Sequence, residues 1–218
     1  FAVRSLLAVV LLSFLSTSVD GRFSQVRHPD YGVSFSYKAA NELGVDWKAS
    51  YIALLDDLHF THVRLMSYWD LHEPKQGGYD YAILDYQMNE AEKRGVKVSL
   101  SIGLRQPRWP ECHEPSWAAN LHDESPEWNA ALDEFITTTV NRYKESPALE
   151  SYQLENEAQN SVFGNCNGAA PLDRLAREFA LVKTLDPNHP VLMSLSDQHG
   201  LPIRGVSPDA YGFSVYRK

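Results

Sequence analysis

From about residue 32 onward the sequence alternates strand-like with helix-like stretches, and this alternation most limits what the chain can fold into. Parallel strands need a long crossover between them, usually a helix, so the pattern predicts consecutive βα units around one sheet. Strands are expected at Gly32 to Ser36, His62 to Met66, Val96 to Ile102, Ala148 to Leu154, Val191 to Leu195 and Tyr211 to Val215. Asp46 opens a helix with Trp47, Tyr51, Leu54, Leu55 and Leu58 at helical spacing. Asp80 is expected to cap a second, which carries Leu84, Met88 and Ala91 and closes at Gly95, where a positive φ is wanted. Ser125-Pro126 starts a third with Trp128, Leu132, Phe135, Ile136 and Tyr143 on one face, and a fourth runs from about Leu172 to Leu185 before Asp186-Pro187 stops it. No internal repeat, low-complexity tract or linker divides these units, so one domain is expected over residues 22–218.

Two architectures accept such a series, the doubly wound open sheet and the (β/α)8 barrel. The turn after the first strand reads Tyr37-Lys38-Ala39-Ala40-Asn41-Glu42 and lacks the glycines that would cradle a phosphate. Unusual residues gather instead where the strands end: Tyr68-Trp69-Asp70, Arg105 to Trp117, Glu155-Asn156-Glu157 and Tyr216. A barrel places its chemistry there, so an α/β (β/α)8 barrel is expected. About six of its eight βα units are present, because the chain ends just after the sixth strand while a full barrel takes about 250 residues.

Residues 1–18 stand apart. Arg4, the apolar run Leu6 to Leu15 and the small residues Ser16-Thr17-Ser18 form a short export signal, with an N-terminal membrane anchor as the alternative. The protein is therefore expected to be secreted or extracytoplasmic, touching a membrane only if that segment is retained. Twenty-eight acidic against 20 basic side chains leave a net charge of -8, which speaks against a nucleic-acid partner. No HExxH, GxSxG or dinucleotide motif is present and His59 and His62 straddle a helix–strand junction, so neither a metal nor any other cofactor is expected. The two cysteines, Cys112 and Cys166, fit a single disulfide in an exported chain.

The stretch Trp69-Asp70-Leu71-His72-Glu73-Pro74, with Gly78-Tyr79-Asp80-Tyr81 downstream, resembles the W-x-x-x-E-P-x-x-G-x-Y-D segment after strand two of retaining glycoside hydrolases of clan A. Gln153-Leu154-Glu155-Asn156-Glu157 is similar to the strand-four ending of the same clan, where an Asn precedes the acid/base Glu. The wording is nearest to the β-galactosidase families, while Arg64 within Val63-Arg64-Leu65 is equally typical of cellulases and mannanases. The resemblance covers nearly all of the chain beyond the signal. It implies hydrolysis of a poly- or oligosaccharide with retention, by two carboxyl groups about 5 to 5.5 Å apart. Glu157 would be the acid/base, Asn156 a ligand of the sugar 2-hydroxyl, and the nucleophilic Glu would come from a seventh strand. On that reading this 218-residue chain alone is expected to be inactive. A non-catalytic, exported carbohydrate-binding barrel is the alternative.

Further substrate-binding candidates follow from chemistry. Arg64 sits in an otherwise apolar strand and needs an anion, either a nucleophile or a structural partner. Trp69 and Trp109, like Trp117, lie in loops, where an indole suits the apolar face of a pyranose or simply anchors the loop. Arg105, Glu111 and His113 crowd one loop and either recognise hydroxyls or satisfy one another. Glu155 is a sugar ligand or an arginine's partner, Tyr216 a contact to the nucleophile or an ordinary strand residue, and Glu73 a loop-shaping acid whose carboxylate takes backbone N–H groups.

Overall fold

A computed structural model describes residues 30–196 and 204–215 of the chain. Six strands form one sheet in the order β1 (Gly32–Ser34), β2 (His62–Met66), β3 (Lys97–Ile102), β4 (Leu149–Leu154), β5 (Val191–Ser196) and β6 (Ala210–Ser214). Every neighbouring pair is parallel. The sheet curls into part of a (β/α)8 barrel, with the helices on its outer face.

The strand sequences explain which face is which, since successive side chains alternate across a sheet. Val63, Leu65, Val98, Leu100, Ile102, Tyr152, Leu154, Val191, Met193 and Leu195 are nearly inaccessible and join the hydrophobic core. Leu84 and Met88 of α4 (Ala82–Lys93), Leu132, Phe135 and Ile136 of α5 (Pro126–Tyr143), and Leu175 and Phe179 of α6 (Leu172–Leu185) complete that core. The intervening residues are polar: in register lie Arg64 with Ser99, Ser99 with Ser151, and Ser101 with Gln153. A register shift between Val98 and Ser99 passes over Glu150, which keeps its carboxylate in solvent while the rows on either side stay aligned.

The helix signals act locally as expected at α2 (Trp47–Asp56), whose N-cap Asp46 accepts from the N–H groups of Lys48 and Ala49. The same holds at α5, where Ser125 caps and Pro126 opens the helix. Three details differ. Tyr37–Glu42 is a six-residue helix, α1, capped by the Ser36 hydroxyl, and the turn expected there gives way to Lys-Ala-Ala helix formers behind a good cap. Trp69–His72 is a single helical turn, α3. The cap of α4 is Tyr81, while Asp80 accepts the Ala82 N–H one residue earlier. Among the described residues no helix is long and apolar enough to cross a membrane. The proposed signal, residues 1–18, and Tyr216 lie outside the described residues.

Candidate active site

The ends of β3 and β4 and the loops that follow them carry a continuous polar network. Non-glycine residues with left-handed backbones are concentrated there: Arg108 (φ 84°), Glu111 (64°), Glu155 (54°) and Glu157 (43°). Such conformations are uncommon for L-residues and persist only where the surroundings hold them. The Cys112–Cys166 disulfide joins the two loops, with its Cα atoms 5.4 Å apart.

Glu157, 6% exposed, donates its backbone N–H to Ser194 Oγ of β5 at 2.9 Å, and its Oε2 accepts from Asn160 Nδ2 at 3.1 Å. Asn156 is oriented by a chain of unambiguous donors. A guanidinium only donates, so the Gln153 atom 2.8 Å from Arg64 Nη1 is the carbonyl Oε1, and Gln153 Nε2 is left to donate to Asn156 Oδ1 at 3.0 Å. Asn156 Nδ2 therefore faces Glu111 Oε1, at 3.1 Å. Arg64, which also donates to Ser34 Oγ, thus reaches the site through Gln153, deeper in the barrel than Asn156.

Arg105 is 1% exposed and bonds protein on every side. Its backbone C=O accepts the Asn156 N–H, Nε donates to Asn156 O, Nη1 to Gly168 O, and Nη2 to Glu111 Oε2 (2.9 Å), Asn160 O and Phe163 O. The expectation that it recognises hydroxyls does not fit this placement; it clamps the β4 loop to the β3 loop. Burial raises the Glu111 carboxyl above the usual range despite Arg105, and the charge of nearby Glu157 adds to the rise.

Glu155 likewise turns away from any ligand. It is fully buried, with Oε1 accepting the N–H of Leu104 at 2.6 Å and Oε2 that of Arg105 at 3.0 Å, and Arg174 Nη2 lies 3.9 Å from Oε2. Behind it, Arg174 lies 3.6 Å from Glu178, which has no exposure; burial pushes that carboxyl far above its ordinary range.

The tryptophans divide. Trp69 is fully buried, ring-packed against Phe135, Trp117 and Trp128, with its indole N–H on Glu73 Oε2. It is a core residue, correcting its expected place in a cleft. Trp117 donates to Glu73 O, and Glu73 Oε1 takes the Gly77 N–H, the loop-shaping use expected of this acid. Trp109 is 64% exposed against Phe163, at the tip of the β3 loop.

One cluster had no counterpart in the sequence reading. Lys38 of α1 bonds both Asp70 Oδ2 and His113 Nδ1 (3.0 Å), under the Tyr68 ring. Burial lowers the His113 pKa and works to raise that of Asp70, but the hydrogen bond and charge of Lys38, with His113 Nδ1 3.7 Å away, hold the Asp70 carboxyl below its usual range. Asp70 and His113 stood out only as strand-end residues, and Lys38 lay in a segment expected to be a turn. No group of three or more metal-ligating side chains occurs among the described residues.

The model of glycoside hydrolase family 42, described as β-galactosidase, matches residues 45–175, more than half of the chain. Mannan endo-1,4-β-mannosidase F of Aspergillus fumigatus is 28% identical over 163 residues, covering 68% of this chain and 35% of that protein. Mannan endo-1,4-β-mannosidase A of Podospora anserina is 28% identical over 137 residues, 59% of this chain and 35% of its own. The chain thus spans about a third of the length of these relatives. Among solved structures, a GH5_18 protein of Streptomyces cattleya in complex with GlcNAc superposes with a TM-score of 0.62 at 20% identity, covering 78% of this chain and 45% of that one. The cold-adapted β-galactosidase of Rahnella sp. R3 does so with a TM-score of 0.58 at 12% identity, covering 77% and 36%.

Proposed function

The chain belongs to glycoside hydrolase family 42, the β-galactosidase family, within clan A, and from that premise we propose that Glu157 is the acid/base of a hydrolase acting on O-glycosidic bonds with retention of configuration. The observation that carries the reading is the buried Asn156-Glu157 pair at the end of β4, held by Gln153 of the same strand, Glu111 of the β3 loop, Ser194 of β5 and Asn160 of the loop that follows. A proton donor to a glycosidic oxygen must keep one carboxyl oxygen directed at the leaving group while the rest of the group is held still. Glu157 meets that demand through Ser194 on its backbone and Asn160 on Oε2.

In this mechanism Glu157 protonates the departing oxygen and then, as a carboxylate, takes a proton from the water that releases the glycosyl-enzyme. The nucleophilic Glu is expected from a strand following β6. Asn156 has one N–H of Nδ2 on Glu111 and a second to offer the sugar 2-hydroxyl, a bond that strengthens as the oxocarbenium-like transition state develops. Trp109, exposed at the rim, offers its indole face to a pyranose. Arg64 holds the Gln153–Asn156 relay rather than the sugar. The family's description as β-galactosidase and the relatives' names as mannan endo-β-mannosidases support a hexopyranose poly- or oligosaccharide as the substrate class.

The test is Glu157→Gln in the complete protein. Hydrolysis of natural oligosaccharides should fall at least 100-fold, while aryl glycosides with good leaving groups keep most of their glycosylation rate and gain turnover with azide. Equal losses on both classes without azide rescue would refute the role. Carbohydrate binding without turnover in the unaltered protein would favour the non-catalytic barrel.

A further inference from the structure

We propose that Asn160 is a positioning residue that reserves Oε2 of Glu157 as a hydrogen-bond acceptor and so assigns the transferred proton to Oε1. This rests on Glu157 being the acid/base, and adds which of its two oxygens acts and what decides it.

The orientation of the Asn160 amide follows from its neighbours. Val162 N–H lies 3.1 Å from one end of the amide, and a backbone N–H can only donate, so that end is the carbonyl Oδ1. The other end, 3.1 Å from Glu157 Oε2, is therefore the NH2. A flip would set two donors against each other at Val162 and two acceptors against each other at an ionised Glu157. The backbone is pinned as well: Asn160 N donates to Glu157 O at 2.7 Å, and Asn160 O accepts from Arg105 Nη2 at 3.0 Å. Asn160 is 6% exposed, so water does not readily replace these partners.

An N–H aimed at Oε2 disfavours a proton on that oxygen, because the carbonyl oxygen of a carboxylic acid accepts far better than its hydroxyl oxygen, leaving Oε1 to carry it. When the proton leaves Oε1 for the glycosidic oxygen, the charge that develops on the carboxylate is already met at Oε2 by the amide, without reorganisation. Glu111, from the β3 loop, is a described acid near Glu157, and burial together with the Glu157 charge raises its own carboxyl. Arg105 touches Glu111 and the Asn160 carbonyl, and Ser194 of β5 adds only a neutral hydroxyl at the Glu157 N–H.

Two variants in the complete protein separate this from a merely structural role. Asn160→Asp keeps an oxygen for Val162 N–H but turns the other end from donor into acceptor; Asn160→Ala removes both. The alkaline limb of kcat/KM reports the acid in the free enzyme. Losing a donor to the carboxylate should move that limb up by about one pH unit in Asn160→Ala, and a second carboxylate should move it further in Asn160→Asp. The ratio of kcat/KM for poor over good leaving groups should fall about tenfold in both, because a misdirected proton matters only where a proton is needed. A limb that stays in place in Asn160→Asp, with equal losses across leaving groups, would overturn the proposal. If Glu157→Gln itself fails to single out substrates that need a proton, the acid/base assignment is what fails; if it succeeds and Asn160→Asp leaves the limb unmoved, only the role of Asn160 does.

Discussion

Arg105→Leu should remove about 5 to 7 kcal/mol from the stability of the fold. The figure is assembled from what the side chain touches. Its guanidinium donates to Glu111 Oε2 and to the carbonyls of Asn156, Asn160, Gly168 and Phe163. Stranding a buried partner such as Glu111 costs about 3 to 5 kcal/mol. The Asn156 and Asn160 contacts are fully buried, and an unpaired buried carbonyl costs about 1 kcal/mol or more each, while the Gly168 and Phe163 carbonyls are partly accessible and regain water. Since whole domains are stable by only about 5 to 15 kcal/mol, such a variant should fold marginally. The penalty should also depend on pH. Without Arg105 the folded-state pKa of Glu111 rises further above its unfolded value, so the variant is least impaired below about pH 4.5 and loses about 1.4 kcal/mol per pH unit as the pH climbs toward the folded pKa. Adding Glu111→Gln to Arg105→Leu removes the stranded charge and should recover about 2 kcal/mol at pH 7. Urea unfolding at pH 5 and pH 7, with midpoints compared at constant slope, measures all of this. A loss below about 1 kcal/mol, independent of pH and accompanied by a raised KM for oligosaccharides, would show that Arg105 binds hydroxyls after all.

Glu178→Gln should be neutral near pH 4 and stabilising above it. The folded carboxyl has its pKa well above the unfolded value, so the natural chain forfeits about 1.4 kcal/mol per pH unit between those two pKa values, and Gln mimics the protonated form; thermal unfolding from pH 4 to 7 that shows Gln becoming relatively less stable would mean the carboxylate is ionised and paired with Arg174. Gly103→Ala should cost about 3 kcal/mol, because φ is +94° and an added Cβ collides with Glu155 Oε1, which holds the N–H groups of Leu104 and Arg105. A change below 1 kcal/mol in urea would show that Glu155 is not needed there.

Strand positions were legible because one face of each strand packs under the helices, so apolar Val98, Leu100 and Ile102 alternate with Ser99 and Ser101 between turn residues. Caps at Asp46 and Ser125 were legible because they act over three residues. Trp69 was misplaced because a one-turn helix is too short to show periodicity, although Glu73, four residues on and bonded to its indole, lay at helical spacing. The pair Asn156-Glu157 was readable from its motif. For Arg105 and Glu155 the sequence left ligand and structural roles open, since apart from Glu111, which Arg105 bonds within its own loop, the partners that decide between them sit about 50 residues away, across a loop whose left-handed turns at Glu155 and Glu157 no residue type announces. Asn160 escaped for the same reason: an Asn three residues after a Glu looks like any loop residue until Val162 N–H fixes which way it faces.

The Cys112–Cys166 bridge encloses a sequence separation of 54 residues, and within that ring lie the whole of α5 and β4 together with Asn156, Glu157 and Asn160. Closing a loop of that length costs an unfolded chain about 4 kcal/mol of entropy in the chain-entropy picture. An oxidised chain has met that cost before folding begins. The β3·β4 pairing, which otherwise waits for a long diffusive search, is brought closer through the bridge, because β3 ends shortly before Cys112 and β4 shortly before Cys166, and low-separation contacts form fastest. Refolding of the oxidised chain should therefore assemble this part of the barrel first, whereas the reduced chain must find it against the full entropy of the intervening segment.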